Sequence, residues 1–166
     1  NAVESLGKGS LDKMLAHYEG LAKKLSKTRK RTVAGNIEHA FRLADLIASK
    51  ISVRSKLMKA YQKMDVKALV ALKKDIKAAE GKATAAMESF REMWMDHNKP
   101  FGFEVVQKRL SGVRERYCEL ERRIDELAKG KAASIPELDD INIPKEKGLH
   151  WYYVNYNFLA SGAKMP

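Results

Sequence analysis

"LVALKKDIKAAEGKATAAMESFREM", Leu69 to Met93, decides the fold. Its apolar side chains at Leu69, Leu72, Ile76, Ala79, Ala83, Ala86, Phe90 and Met93 alternate steps of three and four residues over more than three heptads. On an α-helix that spacing draws one continuous stripe, the seam of an antiparallel or coiled-coil-like helix pair. Gly81 interrupts it at about 1 kcal/mol relative to alanine, which a run of this length absorbs. The interruption "WMDHNKPFGFEV", Trp94 to Val105, comes next, and then Val106, Leu110, Val113, Tyr117, Leu120, Ile124 and Leu127 resume the same spacing. Two seams of matched length joined by so short a link predict a helical hairpin. The third helix stops at or just before Lys99, because the residue before Pro100 is pushed out of helical geometry. Gly102 then permits the reversal, Trp94, Phe101 and Phe103 plug the end of the hairpin, and Asn98 satisfies backbone groups left open there.

Working toward the N-terminus, Asp65 is placed to cap this helix, and a run from Ile37 through Phe41, Ala44, Ile47, Ile51, Leu57 and Met58 to Tyr61 ends near Met64. Gly35-Asn36 breaks the pattern before it. Earlier still, Leu11, Met14, Leu15, Tyr18, Leu21, Ala22 and Leu25 share one helical face, with Ser10 as a plausible N-cap. Working toward the C-terminus, Lys129-Gly130-Lys131 ends the fourth helix with cation and glycine. "IPELDDINIPKEKG" then reads as an extended strap over the surface, and "HWYYVNYNF", His150 to Phe158, as an aromatic tail that docks on the bundle or on something outside it. The expected class is all-α: an antiparallel bundle of about four helices with a long hairpin, followed by an extended aromatic tail. The expected divisions are a tag remnant or leader over 1–9, the bundle over 10–130, and strap and tail over 131–166. The opening Asn1-Ala2 favours a remnant or an excised fragment.

Composition agrees with a folded, helix-rich chain: 166 residues, 45% hydrophobic and 32% charged, with only four Pro. One cysteine, Cys118, excludes an internal disulfide framework and a cysteine-rich zinc site. No apolar run approaches the ~18 residues a membrane span needs, and the compartment stays open. The formal net charge of +11 is uneven, since the first sixty residues hold thirteen Lys and Arg against five Asp and Glu. "KKLSKTRKR", Lys23 to Arg31, is the densest part. Such a cluster binds phosphate backbones or anionic lipid in some proteins, and is a solvated helix end in many more. Without interleaved aromatics or a recognised reading module, nucleic acid is the runner-up partner only.

Catalytic and metal sites find little support in the residues. His17, His39, His97 and His150 form no HxxxH or HExxH pair, and no glycine-rich phosphate loop or GxSxG elbow occurs. Asp125-Glu126 is the one adjacent carboxylate pair of catalytic type, but it lies in the seam-bearing helix, where pairs such as Arg122 with Glu126 favour a salt-bridged face. Cys118 sits one step off the seam with no histidine near it in sequence, the pattern of a buried or boundary thiol. We expect no catalytic residue, cofactor or metal ion within this chain.

"FREMWMDHNKPFGFEVVQKRLSGVRERYCELERRIDELAKG", Phe90 to Gly130, resembles the C-terminal helical domain of bacterial β-N-acetylhexosaminidases of glycoside hydrolase family 20. That family's pattern holds a Trp, an Asn-Lys-Pro or Asn-Arg-Pro, a Phe-Gly or His-Gly and a Glu-Val, then an Arg and a Gly-Gly pair. Here these fall on Trp94, Asn98, Lys99, Pro100, Phe101, Gly102, Glu104, Val105, Arg109 and Gly112. "LAHYEGLAKKL", "LADLIASKISVRSKLMKAYQKMD" and "IPELDD" extend the resemblance, while Gln107 replaces a commoner acidic residue and Ser111 the first glycine of the pair. The basic stretch and the tail have no counterpart.

The resemblance implies a parent enzyme with an upstream (β/α)₈ barrel that removes terminal N-acetylglucosamine or N-acetylgalactosamine from glycans, the substrate's acetamido group serving as nucleophile. The Asp-Glu pair of that chemistry lies in a His-x-Gly-x-Asp-Glu type pattern, which these residues lack. The implied role is a non-catalytic dimerisation or interaction domain. Its partners would be a second copy and the barrel of the same chain, with glycan reached only through the parent and no membrane. The alternative is a free-standing basic helical module for nucleic acid or an acidic partner. Trp151, Tyr152, Tyr153, Tyr156 and Phe158 could present faces to sugar rings, though such aromatics are more often packing anchors.

Overall fold

The computed structural model describes residues 9–29 and 35–139. Four long helices, α1 (Ser10–Arg29), α2 (Gly35–Gln62), α3 (Val66–His97) and α4 (Phe103–Ala128), precede one short helical turn, α5 (Pro136–Asp139). No strand forms among the described residues. The chain is thus an all-α bundle with a long α3–α4 hairpin. The leader before Gly9, Lys30 and Arg31 of the basic cluster, and the strap and aromatic tail from residue 140 onward lie outside the described residues.

In space the helices follow chain order, with α1 against α2, α2 against α3 and α3 against α4. The seam read from Leu69 to Ala86 is where the core sits. Leu69, Leu72, Ile76 and Ala79 are buried with Tyr117, Leu120, Ile124 and Leu127 of α4 and Val53, Leu57, Ala60 and Tyr61 of α2. Toward the hairpin end the core thins to Leu46, Ala83 and Ala86 with half-buried Val113. α1 buries only Ala22, so its stripe of Leu15, Tyr18, Leu21 and Leu25 stays half-covered.

The α2–α3 junction shows how tightly the elements are joined. Met64 N–H donates to the Tyr61 carbonyl at 2.8 Å and Asp65 N–H to the Ala60 carbonyl at 3.0 Å, the paired bonds of a Schellman C-cap. Met64 takes the left-handed position, φ +48°, that glycine usually fills. Asp65 then serves both helices, because its carboxylate accepts the Ala68 N–H at 3.0 Å and caps α3. Gly130, φ +67°, closes α4 by the same device, with Lys131 N–H on the Glu126 carbonyl at 2.8 Å and Gly130 N–H on Leu127 at 3.1 Å.

Three local expectations are corrected. Ser10 lies inside α1, and the cap is Gly9, whose carbonyl accepts the Lys13 N–H at 3.2 Å. Gly35-Asn36, expected to separate the two helical runs, forms the first turn of α2, where glycine escapes the penalty it carries in a helix interior. Residues 136–139 coil into a helical turn where an extended strap was expected. Pro136 stands at the first helical position, where its missing N–H costs nothing, and it directs the flanking Ile135 and Leu138 into the core. Tyr61 fastens this segment: its hydroxyl accepts the Ile135 N–H at 2.8 Å and donates to Asp139 Oδ1 at 2.7 Å.

Candidate functional site: the hairpin turn

The turn is assembled by backbone bonds from residues close in sequence. α3 ends at His97; Asn98 swings to extended geometry, φ −133°, and its N–H donates to the Trp94 carbonyl at 2.8 Å. The Trp94 indole N–H reaches across to the Lys99 carbonyl at 2.9 Å. Pro100 accepts the Phe103 N–H at 3.2 Å, and Gly102, φ +91°, turns the chain into α4. Having no side-chain cap of its own, Gly102 is compensated by Glu104, whose Oε2 accepts the Gly102 N–H at 2.9 Å. A carboxylate there also faces the positive end of the α4 dipole. Trp94, Asn98, Pro100, Gly102 and Glu104 of the predicted set therefore act together.

The remaining predicted residues do not join them. Phe101 does not plug the hairpin; it is 85% exposed, because the left-handed step at Gly102 sends it away from its neighbour Phe103. The plug is instead Phe103 stacked on Phe90 at 6.1 Å, with Trp94 and His39 tilted against Phe90. Asn98 contributes its backbone, and its side chain makes no hydrogen bond among the described residues. Arg109 and Gly112 lie farther along α4, Arg109 exposed, and a Cβ at Gly112 would meet nothing within 4 Å. Phe101 and Val105, 50% exposed, stand four residues apart at the start of α4 and form an apolar tip on a hydrogen-bonded frame.

Elsewhere the chemistry-bearing residues are engaged in structure. Asp125 pairs with Lys73 at 2.7 Å, which holds its carboxyl below the usual range. Glu126 pairs with Arg123 at 3.1 Å; the expected partner Arg122 goes to Glu119 at 3.1 Å instead. Arg123 also reaches Glu137 of α5 at 3.0 Å, so it bridges two elements where Arg122 faces solvent.

Glu80 is only 7% exposed, yet its carboxyl is covered mainly by its own partners, Lys77 at 2.6 Å and Arg114 at 3.3 Å, and those contacts lower its pKa. Burial, then the charge of Glu80, raises the Cys118 thiol, the opposite of what a nucleophilic thiolate needs. Half-buried His39 makes a contact that no sequence pattern announced. Its Nδ1 lies 3.1 Å from Ser89 Oγ, fifty residues away in the chain. Ser89 Oγ also lies 3.0 Å from the Ala86 carbonyl, the back-bond to the preceding turn that a serine inside a helix commonly makes. Burial lowers the His39 pKa, favouring the neutral ring. A helical period of 3.6 could have placed both on inward faces, but not in register with each other.

Among the described residues no group of three His, Cys, Asp or Glu side chains is placed to hold a metal ion, and no helix is long and apolar enough to cross a membrane. The basic cluster is partly neutralised at home. Arg29 Nη1 donates to both carboxylate oxygens of Glu38, at 2.8 and 2.9 Å, and the guanidinium lies over the Phe41 ring at 4.0 Å. Lys23, Lys24 and Lys27 remain exposed. A groove of about 340 Å³ runs between α1, α2 and α3, walled by small residues such as Ala22, Ala48 and Ser52 and by the Lys56–Asp75 and Lys82–Asp45 pairs.

Comparison with known proteins places this geometry. The family model described as the Glycoside Hydrolase 20C C-terminal domain matches residues 7–150. No curated protein matches the chain.

Proposed function

Because the chain belongs to the glycoside hydrolase 20C C-terminal domain family, we propose that it serves as the non-catalytic interaction domain of an exo-acting β-N-acetylhexosaminidase. In this reading the parent removes terminal N-acetylglucosamine or N-acetylgalactosamine, its catalytic barrel lies upstream, and the helical domain brings two copies together. The observation that carries the interaction role is the tip at Phe101 and Val105. A phenylalanine that is 85% exposed loses solvation free energy that burial against a partner would recover, about 2 kcal/mol for a large apolar side chain. It is also held by a turn whose backbone is already hydrogen-bonded, so little ordering opposes contact. The half-covered stripe of α1 offers further apolar surface.

Phe101→Asp tests this, since the side chain makes no core contact and its replacement should leave the fold in place. Sedimentation equilibrium is expected to show self-association weakened about tenfold or more, the effect of losing one interface anchor. Unchanged association would remove the tip from the interface.

A further inference from the structure

At the hairpin end the bundle is held by little apolar material. No residue of α2 ahead of Ala44 is buried, and the core there is reduced to Leu46, Ala83 and Ala86. One half-buried side chain of α2 crosses this thin part to α3. The His39 ring lies 3.1 Å from Ser89 Oγ through Nδ1 and packs at 5.2 Å on Phe90. Phe90 in turn stacks on Phe103 at 6.1 Å and meets Trp94 at 5.7 Å, and the Trp94 indole N–H holds the Lys99 carbonyl at 2.9 Å. A chain of contacts therefore runs from His39 to the turn that carries Phe101 and Val105.

Imidazole can change its charge near neutral pH, and the surroundings of this ring suit the neutral form. Burial lowers its pKa from the ordinary 6.5, and the Ala86 carbonyl opposes that only in part. Among the described residues no charged side chain offsets the burial. On α2 the flanking charges Glu38 and Arg42 pair with each other, and Glu38 also takes Arg29 of α1. On α3 the ring meets uncharged Ser89 and Phe90; Asp96 lies one turn back along α2, its Oδ2 4.0 Å from where a Cβ on Gly35 would stand. From α4 the aromatic cluster receives Phe103. His39 also stands four residues into α2, near the positive end of its dipole, which disfavours an imidazolium.

We propose that His39 is a proton-sensitive support for the hairpin tip. Neutral, the ring packs between α2 and α3 and braces Phe90, Trp94 and Phe103; protonated, it turns toward water and the turn loosens. The link to association rests on the interaction role proposed for Phe101 and Val105, whereas the loosening itself does not. Its sign follows from burial: packing of the neutral ring contributes fully above the ordinary pKa and is lost as pH falls through the lower folded value.

Proton NMR of the full chain from about pH 7.5 to about pH 5 follows the His39 ring and the Trp94 indole N–H together. Both signals are expected to move with one midpoint, below that of a histidine in a peptide. In His39→Gln, whose amide stays uncharged, the indole signal should stay still. His97→Gln, at an exposed position three residues from Trp94, should leave the paired titration of the parent intact. An indole that ignores the His39 titration, or one whose movement disappears with His97, overturns the proposal. Sedimentation equilibrium at the two ends of the range reads the consequence. Self-association of the parent chain should weaken several-fold at the acid end, and that of His39→Gln should be the same at both. Association that holds at the acid end despite a paired titration would remove the regulatory role. A paired titration without self-association at either end would sink the dimer reading and sustain the switch.

Discussion

Two buried tyrosines show why residue type alone does not predict what a side chain does. Tyr61 and Tyr117 both fall on apolar seams, and both are buried. Tyr61 has partners on either side of its hydroxyl, the Ile135 N–H and Asp139. The Tyr117 hydroxyl has none, and burial pushes its pKa up to about 12. Removing the first oxygen strands a buried N–H, so Tyr61→Phe should cost about 1–3 kcal/mol. Removing the second strands nothing, so Tyr117→Phe should be neutral or stabilising by up to about 1 kcal/mol. Urea unfolding of the two variants checks the pair, and equal losses would contradict it. Periodicity made both positions legible as inward-facing. The partners were not legible, because Ile135 lies seventy-four residues from Tyr61 in a stretch that its prolines suggested was extended. Phe101 is the converse case: an aromatic that hydropathy assigns to the interior and one left-handed backbone step turns outward.

At the scale of elements the ends of the helices carry the information. Asp65 as a cap, the stop before Lys99 and the reversal at Gly102 follow from backbone chemistry and were readable. Met64 was not, since nothing in a methionine announces a left-handed residue. Its position in a Schellman cap gives a direct test: Met64→Gly removes roughly 1 kcal/mol of left-handed strain, and the side chain gives up little because it is half exposed. The thermal midpoint should rise, and a fall would show that Met64 packs more than its exposure indicates. For Gly102→Val the space is adequate, since a Cβ would meet Trp94 no closer than 3.7 Å. The penalty comes from φ +91°, which a β-branched residue resists by about 1–3 kcal/mol. A lowered melting temperature is therefore expected, with unchanged melting as the contrary outcome.

Over the whole molecule, the three-four spacing from Leu69 onward was enough to establish an all-α hairpin bundle, because a seam of that length has few other ways to be buried. It marked which side of α4 faces inward but not how closely neighbours approach. Tyr117, Leu120, Ile124 and Leu127 are sealed in the core, while Val106, Leu110 and Val113 remain half-covered toward the tip. Among the described residues that uneven closure, together with α1 packing on α2 alone, leaves apolar surface at one end and one edge of the bundle. Under the proposed function a second copy covers this surface. Static light scattering on the purified chain at tens of micromolar measures that claim most directly. It should return twice the 18.8 kDa chain mass, whereas a single-chain mass held across the concentration range would contradict the dimer.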